Sequence, residues 1–242
     1  MRLTYRLILF SVGCIFLFKL IWSLATTLPE APPGSPPLTW PSHLADLKAQ
    51  ADLMRLYARE HFYHVLALFT TIYLAKQTLL IPGSALANLA GGIMYGPWAI
   101  LYVSFLTAIG SAFCYGLSYW LFGEAFFERI MGKRMAPRPR WRMPTTRHVP
   151  PQLFQYLMFI RLFPFSPNWF LNLASPFAGV PIGPFAMTAF LGLMPYNTVC
   201  VQAAATLSEV ESFAQILNGR VVAELCLVSG LALLPAVLGG RV

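Results

Sequence analysis

Charged side chains divide the chain into unusually long apolar stretches. No Asp, Glu, Lys, Arg or His occurs from Thr78 to Gly123, and none from Leu162 to Ser208. Each run exceeds the roughly 20 apolar residues that one spanning helix requires, so each must hold more than one pass. A third apolar stretch, Leu7 to Leu28, follows Arg2 and Arg6 and is interrupted only by Lys19. Residues 1–28 fit a cleaved signal peptide or a retained anchor. "PEAPPGSPPLTWP", residues 29–41, predicts an extended proline-rich linker.

Helical periodicity follows from Ser42 to Glu60. Leu44, Leu47, Ala51, Met54 and Ala58 share one face, and Lys48, Asp52, Arg55 and Arg59 share another. That pattern predicts an amphipathic interfacial helix over residues 42–60, or a solvated bridge between membrane segments. No set of acids and cysteines completes a metal site with His61 and His64, and they read as interface residues. A hydrophobic helix is expected from Tyr63 to Ile81, with Lys76 placed to snorkel toward headgroups.

Pro82 and Gly83 then interrupt the pattern, and Gly96 and Pro97 interrupt it again. The interval 81–95 is too short and too broken to span, and bare polar backbone cannot face lipid, so a re-entrant hairpin is expected there. Trp98 to Phe122 predicts a spanning helix with Gly110, Ser111 and Gly116 as close-packing points. "RLFPFSPNWFLNLASP", residues 161–176, is the second break, and a second re-entrant hairpin is expected over residues 164–180. A helix from Pro184 to Leu207, kinked at Pro195, and a last segment from Val221 to Leu238 complete the membrane part, residues 61–238. Residues 239–242 form a short tail. The expected class is an all-α polytopic membrane protein, with about four to six spanning helices.

Composition agrees, since 57% hydrophobic and only 11% charged residues exceed what a soluble core of 242 residues buries. Cys14, Cys114, Cys200 and Cys226 lie in apolar segments without metal-ligand spacing, so no metal or other cofactor is expected. Much of the net charge of +8 comes from the loop 129–147, with Arg129, Lys133, Arg134, Arg138, Arg140, Arg142 and Arg147 and no acid. Prolines and a lone Trp141 make nucleic acid a poor partner for it. Anionic lipid headgroups on the cytosolic side suit it better, although counting the passes puts the loop on the opposite side and leaves orientation open.

"NLA" occurs at Asn88 to Ala90 and again at Asn172 to Ala174, each followed by a Gly-Pro-aromatic-Ala step. Two broken segments at corresponding places in two halves point to a central site in a pseudo-symmetric repeat. Arg161, Asn168, Asn172, Asn88 and Ser84 are its candidate polar residues. Pro82, Gly83, Pro164, Pro167 and Pro176 are assigned to hairpin shape, and Tyr196 and Asn197 either extend the groove or satisfy the kink at Pro195. Arg161 has two readings: a planar fork of donors for a phosphate, or a cap on hairpin carbonyls. The asparagines, likewise, can offer exchangeable hydrogen bonds or cap turns.

Ionisable chemistry separates the function classes. Between His61 and Ser208 the only acids are Glu124 and Glu128, which leaves little for ion-coupled transport. No Ser/His/Asp set, HExxH, phosphate loop or carboxylate pair is present, so no enzyme is expected and no catalytic residue is named.

"KQTLLIPGSALANLAGGIMYG", "RLFPFSPNWFLNLASP" and "GLMPYNTVCVQ", in that order, resemble the signature of the transmembrane protein 41 family, nearest its A branch, within the DedA or VTT superfamily. The resemblance covers residues 42–238 or so. It implies two inward-facing re-entrant hairpins, residence in the endoplasmic reticulum membrane, and ATP-independent scrambling of membrane phospholipids in support of autophagosome and lipoprotein formation. Bacterial relatives carry membrane-embedded acids in the first half, and their absence here counts against proton coupling. A non-transporting membrane assembly factor and an ion-coupled lipid or solute transporter are the alternatives.

Overall fold

The computed structural model describes residues 3–30, 44–131, 151–205 and 218–239, and all of the regular structure in them is helical. The helices are α1 (Leu3–Thr26), α2 (Leu44–Glu60), α3 (Phe62–Thr78), α4 (Ser84–Tyr95), α5 (Ala99–Met131), α6 (Pro151–Leu162), α7 (Asn168–Ala174), α8 (Ile182–Ala203) and α9 (Gly219–Gly239). Most of the proline-rich linker, most of the basic loop and the connection after α8 lie outside the described residues. Among the described residues, three helical runs are long and apolar enough to cross a bilayer: Leu3–Thr26, Ser84–Gly123 and Ile182–Ala203.

The two breaks are built by local chemistry. Helix α3 ends where the Ile81 amide donates to the Lys76 carbonyl at 2.9 Å, with Leu80 held at φ 59° between them. This is a Schellman closure with leucine in the left-handed position that glycine usually fills. Gly83, at φ 109°, then serves as N-cap of α4. In the second half Ser166 N–H closes a turn on the Phe163 carbonyl at 3.1 Å, and Pro167 caps α7 in an extended conformation.

The chain reverses at each break. Lys76 meets Ser84, Tyr73 meets Asn88 and Phe69 meets Tyr95, so α3 and α4 run antiparallel. Asn168 and Asn172, one turn apart on α7, both return to Arg161 on α6. The turns therefore sit at residues 79–83 and 163–167. The ranges 81–95 and 164–180 each contain a turn's end and the returning helix, while the outgoing arm is the helix before the turn. The sequence displaced the hairpins because proline marks the turn but not the helix leading into it.

The halves interlock. Helix α3 lies on α5 and α6 on α8, yet α4 lies chiefly on α8 and α7 on α5, so each returning helix crosses to the other half's long helix. A Cβ on Gly92 of α4 would stand 2.6 Å from the Val201 carbonyl oxygen of α8, and the Ser118 hydroxyl of α5 donates to the Leu173 carbonyl of α7 at 3.3 Å. Phe69, Leu89, Val103 and Val201 form the core between α3, α4, α5 and α8. Of the expected close-packing points on α5, Gly110 lies against Gln77 and Ser111 accepts from the Gln77 amide at 3.1 Å, but Gly116 faces open space. Gly123, at φ 65°, interrupts α5.

Helix α2 places buried Ala51, Leu53, Tyr57 and Ala58 toward α3 and α4, and Asp52 pairs with Arg55 at 3.0 Å. His64 Nε2 lies 2.7 Å from the Leu24 carbonyl oxygen, and the Tyr57 hydroxyl donates to the Pro29 carbonyl at 2.6 Å, which ties the end of α1 to α2 and α3.

Candidate functional site

One cavity of about 450 Å³ is bordered by the second turn and by the start of the helix that follows the first. Ser84 comes from the start of α4, Arg161 from the end of α6, Pro164 and Ser166 from the second turn, Asn168 from the start of α7, and Tyr196 and Asn197 from α8. Among the described residues, no Asp or Glu lines it.

Arg161 is 5% exposed and, among the described residues, has no carboxylate partner. Its Nη1 donates to Asn168 Oδ1 at 2.5 Å, and Nη1 and Nη2 both reach Asn172 Oδ1 at 3.3 Å. The guanidinium carbon lies 4.5 Å from the Phe185 ring centroid, within cation–π range. Among the described residues, neither Arg161 Nε nor the buried Nδ2 of Asn172 has a hydrogen-bond partner. Among the described residues, the partners of the charge are thus two asparagine oxygens and one aromatic face, with no backbone carbonyl. A buried cation with neutral partners and spare donors favours an anion. Gly192 makes room for it, since a Cβ there would stand 2.8 Å from Arg161 Cβ.

Asn88 and Asn172 are fully buried behind the cavity wall. Asn88 belongs to a hydrogen-bond chain across four helices: Tyr73 Oη donates to Asn88 Oδ1 at 2.8 Å, Asn88 Nδ2 to Asn197 Oδ1 at 2.8 Å, and Asn197 Nδ2 to Ser104 Oγ at 3.1 Å. Asn197 therefore both borders the cavity and locks α8 to α4 and α5. Pro82 and Gly83 shape the first turn and Pro164 and Pro167 the second, whereas Pro176 is buried in the turn between α7 and α8.

Lys76 corrects the sequence reading. It does not snorkel; it is 2% exposed, and its Nζ donates to Ser84 Oγ at 2.8 Å and to Gln77 Oε1 at 3.3 Å. The reason is the reversal at residues 79–83, which folds α4 back over the end of α3 and covers the lysine before it can reach an interface. Tyr73, Lys76, Gln77 and Thr107 are the site residues that the sequence reading missed. A usable signal existed: Gln77 precedes Ser84 and Asn88 by the same intervals, seven and eleven residues, by which Arg161 precedes Asn168 and Asn172.

The model of the VTT domain matches residues 81–206, more than half of the chain. Transmembrane protein 41B of Xenopus laevis is 30% identical over 198 residues, which cover 81% of this chain and 69% of that protein. The Homo sapiens protein of the same name is 30% identical over 81% of this chain and 66% of its own length, and that of Danio rerio 30% identical over 81% and 68%. The chain belongs to the transmembrane protein 41 family of VTT-domain proteins. These B-type relatives speak for the family and not for a branch within it. No solved structure matches the chain. Within the VTT domain fall Ser84, Asn88, Arg161, Asn168, Asn172 and Asn197, while Tyr73, Lys76 and Gln77 stand just ahead of it.

Proposed function

We propose that this VTT-domain membrane protein scrambles phospholipids between leaflets without ATP, in the endoplasmic reticulum membrane and in support of autophagosome and lipoprotein formation, a reading that the resemblance of its motifs supports. The observation that carries the reading is Arg161: a buried, uncompensated cation with an unpartnered Nε, beside a cavity between two helix breaks. An unaided headgroup must leave water for hydrocarbon, at an idealised cost on the order of tens of kcal/mol for an ion. A polar route with a fixed positive charge lowers that barrier, and acyl tails stay in lipid. The two turns are re-entrant in this reading, their tips meeting at the cavity rather than crossing the bilayer. The basic loop 129–147, most of which lies outside the described residues, holds the cytosolic face to anionic headgroups.

The test is reconstitution in liposomes with a fluorescent phospholipid, followed by dithionite bleaching with and without ATP. Bleaching beyond the outer leaflet is expected without ATP. Arg161→Lys keeps the charge but loses the planar fork, and should scramble in part; Arg161→Gln should lose most activity. Well-folded Arg161→Gln protein that scrambles at the wild-type rate would refute the phosphate role of the arginine. Bleaching that stops near half with wild-type protein would favour a non-transporting assembly factor, and dependence on a pH or sodium gradient would favour coupled transport.

A further inference from the structure

The first half carries a cation that the site as described leaves unused. Lys76 Nζ has three neighbours: the Ser84 hydroxyl at 2.8 Å, the Gln77 amide oxygen at 3.3 Å and the Tyr73 ring, whose centroid is 5.0 Å away. All three of those side chains line the cavity that also holds Arg161. Both of its hydrogen-bond partners are neutral oxygens, and the two ion pairs among the described residues, Arg55 with Asp52 and Arg220 with Glu224, do not include it. Removing an ammonium from water without a counter-ion is costly, and such lysines mark function more often than stability.

The repeat supplies an independent line. Gln77, Ser84 and Asn88 keep the spacing of Arg161, Asn168 and Asn172. Each outgoing residue is seated against a glycine of a long helix, Gln77 at Gly110 of α5 and Arg161 at Gly192 of α8. At the equivalent position the first half has an amide, and it brings its cation from the preceding residue, Lys76, back onto the oxygen of the returning helix. Each half thus sets one cation at the end of its outgoing helix against one neutral oxygen at the start of its returning helix; Arg161 lines the cavity, and Lys76 stands directly behind Gln77 and Ser84, which line it.

We propose that Lys76, with Gln77 and Ser84, forms a second phosphate station, the counterpart of Arg161 with Asn168. It rests on the scramblase reading for its purpose but not for its chemistry. A single strong site would trap an anion, whereas two sites from opposite halves let it leave one cation as it gains another, the condition for passage rather than storage. The ligand is a phosphate group carried on a lipid headgroup or free in solution. Ser84 is the exchangeable partner: when phosphate arrives, the ammonium turns from the hydroxyl to the phosphate oxygen.

The test uses the full chain in detergent. Thermal shift is titrated with dihexanoylphosphatidylglycerol and, separately, inorganic phosphate, and scrambling of fluorescent phosphatidylglycerol is measured in liposomes. Lys76→Gln should raise the half-saturating lipid concentration about tenfold, the loss expected for one charged hydrogen bond, and slow scrambling in step. Lys76→Arg should restore most of both. A shift with the lipid alone assigns the station to a headgroup; an equal shift with inorganic phosphate assigns it to free phosphate. Where Lys76→Gln does not fold, Lys76→Met, which keeps the stem and suits an apolar surround, carries the same comparison. Folded variants with wild-type titration and wild-type rate overturn the proposal, as does a lower melting point with unchanged half-saturation, which would make the lysine structural. Wild-type protein that binds but does not scramble removes the scramblase reading and leaves the station standing.

Discussion

Replacing Gly192 with alanine would put a methyl carbon 2.8 Å from Arg161 Cβ, where ordinary contact begins near 3.4 Å, so about 0.6 Å of separation is missing. The obstructing atom is next to the backbone of α6 and cannot swing away, so α6 and α8 must part. Overpacking of this kind costs about 1–3 kcal/mol. Against it, alanine gains about 0.5–1 kcal/mol over glycine inside a helix. Gly183, in the first turn of the same helix with nothing within 4 Å, receives the gain without the clash. The difference between Gly192→Ala and Gly183→Ala therefore isolates the steric cost. At about 2–4 °C per kcal/mol for a chain of this size, it should appear as a melting-point gap of about 2–12 °C in detergent. Activity should fall further than stability. A half-ångström displacement carries the 3.3 Å contacts of Arg161 to Asn172 beyond hydrogen-bond length, so the guanidinium loses its aim before the protein unfolds. Equal melting points and equal scrambling rates for the two variants would refute the close approach and, with it, the placement of Arg161.

Asn88→Ala removes two hydrogen bonds and strands the Asn197 oxygen, which should cost about 1–3 kcal/mol; a double-mutant cycle with Asn197→Ala, read by thermal unfolding, should show coupling of about 0.5–3 kcal/mol. Neutralising Arg138, Arg140 and Arg142 together should leave the unfolding free energy within about 0.5 kcal/mol of wild type while weakening binding to vesicles rich in anionic lipid, and a glycosylation acceptor placed beside Pro139 should stay unmodified if the loop is cytosolic.

The turns were legible because proline and glycine act locally: Pro82, Gly83, Pro164 and Pro167 say where a helix must stop whatever surrounds them. Arg161 stood out for a similar reason, as a lone charge at the edge of a long uncharged run, and the structure does bring Asn168 and Asn172 to it. What the sequence hid was the consequence of reversal. Lys76 read as a snorkelling residue because a helix end in a membrane usually meets an interface, and only the return of α4 over α3 reveals that this end is covered. Asn88 read as a groove residue by analogy with Asn172, yet both lie behind the wall, since a residue four positions into a returning helix faces its partner helix and not the turn. Repeat spacing would have paired Gln77 with Arg161, but the shared "NLA" drew attention to the returning helices and away from the residues eleven positions ahead of its asparagines.

The crossed placement of α4 and α7 has a bearing on how the chain is made. Helix α4 exposes the Gly92 face and the amide of Asn88 until α8 exists to receive them, and α8 is completed more than 100 residues after α4. At about 5–20 residues per second of synthesis, the first half waits roughly 5–20 s in the membrane with a polar side chain and a shallow helix–helix groove uncovered. Neither half can mature alone, so truncation after α5 should yield an orphan rather than a smaller working unit. A cell making this protein must either shelter the early half or accept that some of it will be degraded before the second half arrives.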